Sequence, residues 1–107
     1  MLYRGFLYWV DLDKRRPALV LSSDRFNSRS SYVTVVPGSS RLRPLITHLK
    51  LARGEGGITR PAMLLCEHVQ EVPQSDVNPT PLGPSLAPRR MREVEDAVLL
   101  LLGIERG

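Results

Sequence analysis

Nine prolines and eight glycines cut this 107-residue chain into short pieces, and that punctuation constrains its fold more than any other feature. Proline lacks a backbone donor and fixes φ, so it is excluded from helix interiors and from the middle of sheets. Pro73, Pro79, Pro81 and Pro84 forbid regular structure across the stretch they occupy, while Pro37 with Gly38 and the run RGEGG close two earlier segments. Most of what lies between these breaks is short and rich in aromatic and β-branched residues, which is the pattern of strands.

Residues 6–12, FLYWVDL, and 18–21, ALVL, read as the first two strands, the second too continuous to alternate. In the first, Tyr8 and Trp9 fall on opposite faces, so one packs while the other is available to stack on a base. DRFNSRSS is a polar connection with room for one helical turn capped by Ser23 or Asp24. SYVTVVP is a third strand, ended by Pro37 and Gly38. LITHLKL sets Leu45, Leu49 and Leu51 against Ile46, His48 and Lys50 and makes a fourth, with His48 pointing outward. AMLLCEHVQEV reads as a fifth that bends into a sixth. Helical spacing comes only near the end, where Met91, Val94, Ala97, Val98 and Leu101 recur between Pro88, suited to the first helical position, and Gly103, a C-terminal stop. Leu99, Leu100 and Leu102 widen that apolar stripe beyond one face, as a dimer contact would require. Five or six short strands without βαβ rhythm predict a mainly β (α+β) fold. The expected architecture is a single domain over 1–107, a strongly bent sheet or partly open, SH3-like β-barrel with a C-terminal helix.

Fifteen Lys and Arg against eleven acids give a net charge of +4, with arginine favoured. That balance suits a polyanionic or acidic partner, and it is equally compatible with a mildly basic surface of no special purpose. A lone Cys66 excludes an internal disulfide and a Cys-rich zinc site, and points to a reducing cytoplasm. The N-terminus lacks the apolar core and cleavage site of a signal peptide, and no run approaches the roughly 20 apolar residues that span a bilayer. A soluble, cytoplasmic protein with no membrane association is expected.

No phosphate-binding loop, dinucleotide fingerprint or nucleophile elbow is present, and the only histidines, His48 and His68, form no metal-ligand pattern. No cofactor and no metal are expected. Cleavage of RNA needs neither, because each ribose carries its own nucleophile beside the phosphate. The protein must align the backbone, move two protons and neutralise charge on the phosphoryl oxygens. Arg16 before the second strand, Ser39 and Ser40 after the third, and Glu67 and His68 within the fifth are the candidates for that work.

RGFLYWVDLD, RPALVLSSDRFN, VTVVPGSS, THLKL and LLCEHVQEV follow one another in the order and approximate spacing seen in the MazF/PemK toxins, which the chain resembles over nearly its whole length. The resemblance implies a plasmid-maintenance-toxin barrel, a homodimer, and an endoribonuclease that cuts single-stranded RNA without metal and is restrained by an acidic, MazE-like antitoxin. It assigns the family's arginine to Arg16, as transition-state stabiliser, and its hydroxyl to Ser39, on the scissile phosphate. In the PemK-like branch a fifth-strand carboxylate serves as base, and Glu67 stands there, although the arginine two positions earlier in that branch is Leu65 here. His68 replaces the usual glutamine. Lys14, Arg15, Ser40, Arg41 and His68 complete an RNA-binding set, with Arg16, Arg15 and Ser39 lining one groove. Pro17 biases Arg16 to an extended conformation that aims it outward. The first loop is shorter than in many members, which carry a Gly-Ser-Glu-Gln segment there.

Plainer readings stand beside these. Lys14 and Arg15 also suit a solvated surface, Ser39 and Ser40 a simple turn, and Glu67 an ordinary paired carboxylate. The same barrel serves toxins that jam gyrase, and an RNA-binding module that does not cut is a third alternative.

Overall fold

In a computed structural model, residues 1–105 are described and fold around one six-stranded antiparallel sheet. The strands are β1 (Leu7–Asp11), β2 (Arg15–Val20), β3 (Tyr32–Ser39), β4 (His48–Leu51), β5 (Ala62–Leu65) and β6 (Gln70–Pro73), with a short helix α1 (Asp24–Asn27) and a terminal helix α2 (Pro88–Leu102). Their order is β1-β2-β3-β5-β4, and β6 pairs with the first half of β3.

The sheet is buried on both sides, which explains why ALVL shows no alternation. Leu19 and Val36 face one apolar cluster with Leu7, Leu51, Leu64, Cys66 and Val94. Ala18, Val20, Val33 and Val35 face the other, with Leu2, Tyr8, Val10 and Val72. Helix α2 covers the first cluster through Val94, helped by Met91, Ala97 and Val98. It begins at Pro88 and ends on Gly103 in the left-handed conformation at φ 71°, as the sequence predicts. Leu100, Leu101, Leu102 and Ile104 are left exposed.

Three local expectations are corrected. Pro37 and Gly38 bend β3 instead of ending it: Val35 to Pro37 pair with β2, and Gly38 and Ser39 pass to β5. A Cβ on Gly38 would lie 3.0 Å from the Pro17 carbonyl oxygen, so glycine is what lets the bent strand cross β2 closely. The fourth strand is shorter than the apolar pattern suggested, since Leu45 and Ile46 are exposed residues of the loop before it. The fifth strand stops at Leu65, and Cys66, Glu67 and His68 form a 3-10 turn before β6, so Glu67 and His68 sit on a corner and not within a strand.

The proline-rich stretch is less irregular at its start than expected, since Pro73 is the last residue of β6, paired with Tyr32, and Gln74–Asp76 form a 3-10 turn. The rest is irregular yet ordered by β1. Asn78, Leu82 and Leu86 donate backbone hydrogen bonds to the carbonyls of Trp9, Leu7 and Gly5. Pro79, Pro81 and Pro84 fall between these donors, where no N–H is required, and the segment covers an edge that would otherwise be open.

Candidate active site

The corner between β1 and β2 holds only Leu12, Asp13 and Lys14, closed by the Leu12 N–H donating to the Lys14 carbonyl at 3.0 Å. Because β2 already starts at Arg15, the two arginines occupy successive strand positions and face opposite ways. Arg15 is opposite Asp11, and its guanidinium carbon stacks 4.8 Å from the ring centroid of exposed Trp9. Tyr8, the neighbour on the other face, is buried, and its hydroxyl accepts from the Tyr3 N–H at 2.9 Å.

Arg16 is opposite Val10, at the open end of the second apolar cluster. Its side chain does not extend outward as expected: it is only 19 % exposed and is held by two neighbours. Nε and Nη2 donate to the two oxygens of Asp13 at 2.8 and 2.9 Å, and Nη1 donates to the Gly38 carbonyl at 3.3 Å. The hydrogen bond from Arg16 holds the Asp13 carboxyl far below the usual carboxylate range, and the same bond raises Arg16 above its ordinary value. Both groups therefore stay ionised at any working pH.

The expected single groove is divided among three hollows: Arg15 lines one of about 320 Å³ with Trp9, Asp11 and Asp76, and Arg16 and Ser39 each line another. Arg16 opens on a depression of about 220 Å³ lined also by Leu12, Asp13, Pro37, Leu65, His68 and Gln70. Ser39 and Ser40 instead line a groove of about 410 Å³ with Trp9, Pro17, Thr59, Arg60 and Leu82. The Gly38 carbonyl, which accepts from Arg16 one residue before Ser39, links the Arg16 and Ser39 hollows. The Ser39 Oγ accepts from the Arg41 N–H at 3.1 Å, which leaves its proton available to an incoming acceptor. Lys14 and Arg41 are exposed and line none of these hollows, each following in sequence a residue that does, Asp13 and Ser40. Arg60 and Thr59 went unnoticed in the sequence because they follow a break and belong to no pattern.

Glu67 is engaged on both oxygens. Thr47 Oγ1 donates to Oε1 at 3.1 Å, and His48 Nε2 lies 2.7 Å from Oε2. The His48 side chain is only 7 % exposed, contrary to its expected outward direction. Its other ring nitrogen lies 2.6 Å from the Arg43 carbonyl oxygen, so both nitrogens face protein oxygens. This latch ties the loop after Ser39 to the corner that carries His68. His68 is 61 % exposed, with Nε2 3.9 Å from Glu67 Oε2, so the carboxylate stands behind the imidazole that fronts the depression.

Burial pushes the Glu67 carboxyl up, but hydrogen bonds from His48, its own backbone N–H and Thr47 outweigh that and hold it below the usual value. A carboxylate with a lowered folded value adds stability above its unfolded value and loses it as pH falls through the folded one. The melting-temperature advantage of the wild type over Glu67→Gln is therefore expected to be full above pH about 4.5 and to shrink steadily in more acid buffer. An advantage that does not change with acidification would contradict the latch.

Cys66, beside this corner, is fully buried, and burial pushes its thiol up to about 11, as befits a small core residue without reactivity. Among the described residues no group of three or more His, Cys, Asp or Glu side chains is arranged to hold a metal ion, and the positive charge of the site comes mainly from arginine.

The order of strands, the bend at Gly38 and the arginine held at the β1–β2 corner can be set beside known proteins. Residues 3–102 match the family model of the PemK-like, MazF-like toxins of type II toxin-antitoxin systems. The chain belongs to this toxin family. It is 28% identical over 71 residues to the endoribonuclease MazF3 of Mycobacterium tuberculosis, an alignment covering 66% of this chain and 68% of that protein. Among solved structures, the toxin MazF-mt6 of Mycobacterium tuberculosis has a TM-score of 0.85 at 23% identity and covers 94% of this chain and 99% of its own. An endoribonuclease of a mycobacterial species, solved in complex with its cognate antitoxin, gives 0.84 at 19% identity over 100% of both chains. A MazE-MazF structure from Deinococcus radiodurans gives 0.80 at 24% identity over 96% of both. The α+β fold of this toxin family, with its bent antiparallel sheet and C-terminal helix, is thus the fold of this chain. No helix among the described residues is long and apolar enough to cross a membrane.

Proposed function

We propose that the chain is a metal-independent endoribonuclease of a toxin–antitoxin pair that cuts single-stranded RNA at short sequences. The ribose 2′-hydroxyl attacks the adjacent phosphorus and the 5′ oxygen of the next nucleotide leaves, giving a 2′,3′-cyclic phosphate and a 5′-hydroxyl. The observation that carries this reading is Arg16, a half-buried guanidinium fixed by Asp13 and the Gly38 carbonyl at the mouth of a depression. A preorganised cation of this kind offsets the charge that grows on the phosphoryl oxygens without having to reorganise during the reaction.

In this reading Ser39 donates its hydroxyl to the scissile phosphate across the Gly38 junction. His68, exposed beside Arg16, exchanges protons with the attacking or leaving oxygen, and Glu67 supports it from behind. Lys14, Arg41 and Ser40 position the strand, and Trp9, which lines the Ser39 groove and carries Arg15 over its ring, offers a flat platform for a base. The protein works in the cytoplasm as a homodimer, and the exposed leucines at the end of α2 are the surface available for that contact. A MazE-like antitoxin with an acidic segment competes with RNA for the same arginines, as the complexed family structures encourage.

The chemistry is tested by an oligonucleotide with one 2′-deoxy nucleotide at a mapped cleavage position. Loss of cutting at that position, with cutting retained at others, is expected. Continued cutting at the deoxy site would show a nucleophile other than the ribose hydroxyl.

A further inference from the structure

The charge of Arg16 poses a problem that its geometry answers. A guanidinium has five N–H donors, one on Nε and two on each terminal nitrogen. Asp13 takes one from Nε and one from Nη2, and the Gly38 carbonyl takes one from Nη1. One donor is left on each terminal nitrogen, without a partner among the described residues. These two belong to a rigid plane whose orientation is set from two sides, by the β1–β2 corner through Asp13 and by the bend of β3 through Gly38.

We propose that Asp13 is a positioning residue for Arg16: its carboxylate clamps the side of the guanidinium so that the two remaining donors meet the phosphate of the substrate in one fixed orientation. The inference rests on the reading of Arg16 given above. Asp13 is itself 66 % exposed, so the pairing is poorly suited to a stabilising role and well suited to holding its partner. The three-residue corner makes this possible, since it places the carboxylate three residues before the arginine and on the same side of the strand entrance. Lys14, between them, takes part through its backbone N–H, which donates to the Asp13 carboxyl and helps to hold it in place. An alternative in which Asp13 merely blocks Arg16 until RNA displaces it makes the opposite kinetic forecast, because removing the block would speed cleavage.

Asp13→Ala and Asp13→Asn, each in the full chain, are compared with the wild type and Arg16→Ala for cleavage of a defined RNA, with the Arg16 Nε–H followed by NMR. Asp13→Ala is expected to lower kcat about 10- to 100-fold with KM within about threefold, because misplacing a group by an ångström carries a cost of that order. Asp13→Asn, which keeps one acceptor oxygen, is expected to recover part of that loss. The Nε proton is expected to be protected from exchange in the wild type and to lose protection in Asp13→Ala. Wild-type or faster turnover of Asp13→Ala beside an inactive Arg16→Ala would overturn the inference alone. Wild-type turnover of Arg16→Ala would overturn the proposed function, and the inference with it.

Discussion

Arg16→Ala is expected to cut RNA about 10³-fold more slowly than the wild type, with most of the loss in kcat, because it removes a fixed donor pair from the developing charge. The fold should survive the change. Arg16 lies at a strand entrance, its partner Asp13 is exposed, and removing the pair leaves no charge stranded in the interior. Arg16→Lys is the informative companion. Lysine keeps the positive charge but lacks the planar fork, so it cannot satisfy Asp13 on two oxygens, bond the Gly38 carbonyl and still present two aligned donors. Its rate is expected nearer to alanine than to arginine. Single-turnover cleavage of a fluorescent oligonucleotide, with melting curves of each variant, checks both statements. A lysine variant at wild-type rate would mean that charge alone suffices and that the geometry of Arg16 is incidental.

The second large effect is on stability. Gly57→Ala is expected to destabilise the protein by about 3 kcal/mol or more, a drop of about 12 °C or more in Tm for a domain of this size. Gly57 has φ +90°, and a Cβ there would lie 2.2 Å from the Leu82 carbonyl oxygen and 2.6 Å from the Gly83 nitrogen. Both obstacles are backbone, so no rotamer change relieves the clash. The two segments cross where they build one wall of the groove beside Ser39, which includes Gly57 and Leu82. Gly54→Ala separates the causes. Gly54 has an equally unusual φ of +95°, but a Cβ there would meet nothing within 4 Å, so only the conformational cost of about 1 to 2 kcal/mol applies. Equal losses for the two variants would mean that the crossing is looser than described.

Much of this architecture is readable in the residues. Helix α2 is bounded by Pro88 and Gly103 through local chemistry that needs no tertiary partner, and Ser23 caps the short α1 by accepting from the Phe26 N–H at 3.2 Å. The strands are recognisable from composition, but their limits depend on pairing. Pro37 and Gly38 look like a stop when read alone, and become a bend because β5 is there to receive the rest of β3. Likewise Leu45 and Ile46 continue an apolar run that no partner strand accepts.

The candidate site divides in the same way. Arg16, Ser39 and His68 are identifiable from residue type and family resemblance. What holds them is not: Asp13 reads as a turn residue until the corner brings it three positions back against Arg16. His48 reads as an outward strand residue until Glu67, nineteen positions away, turns out to face its ring. The assignment of Arg15 and Arg16 to a single groove fails for a simpler reason. The strand begins earlier than its apolar run suggests, and neighbouring positions on a strand point to opposite faces.

The most direct measurement is to incubate the purified protein with a long single-stranded RNA in excess EDTA and to identify the ends of any fragments. Discrete fragments ending in a 2′,3′-cyclic phosphate and starting with a 5′-hydroxyl are expected from the wild type and not from Arg16→Ala. Intact RNA, or fragments with 3′-hydroxyl and 5′-phosphate ends, would contradict a metal-independent attack by the ribose hydroxyl at Arg16.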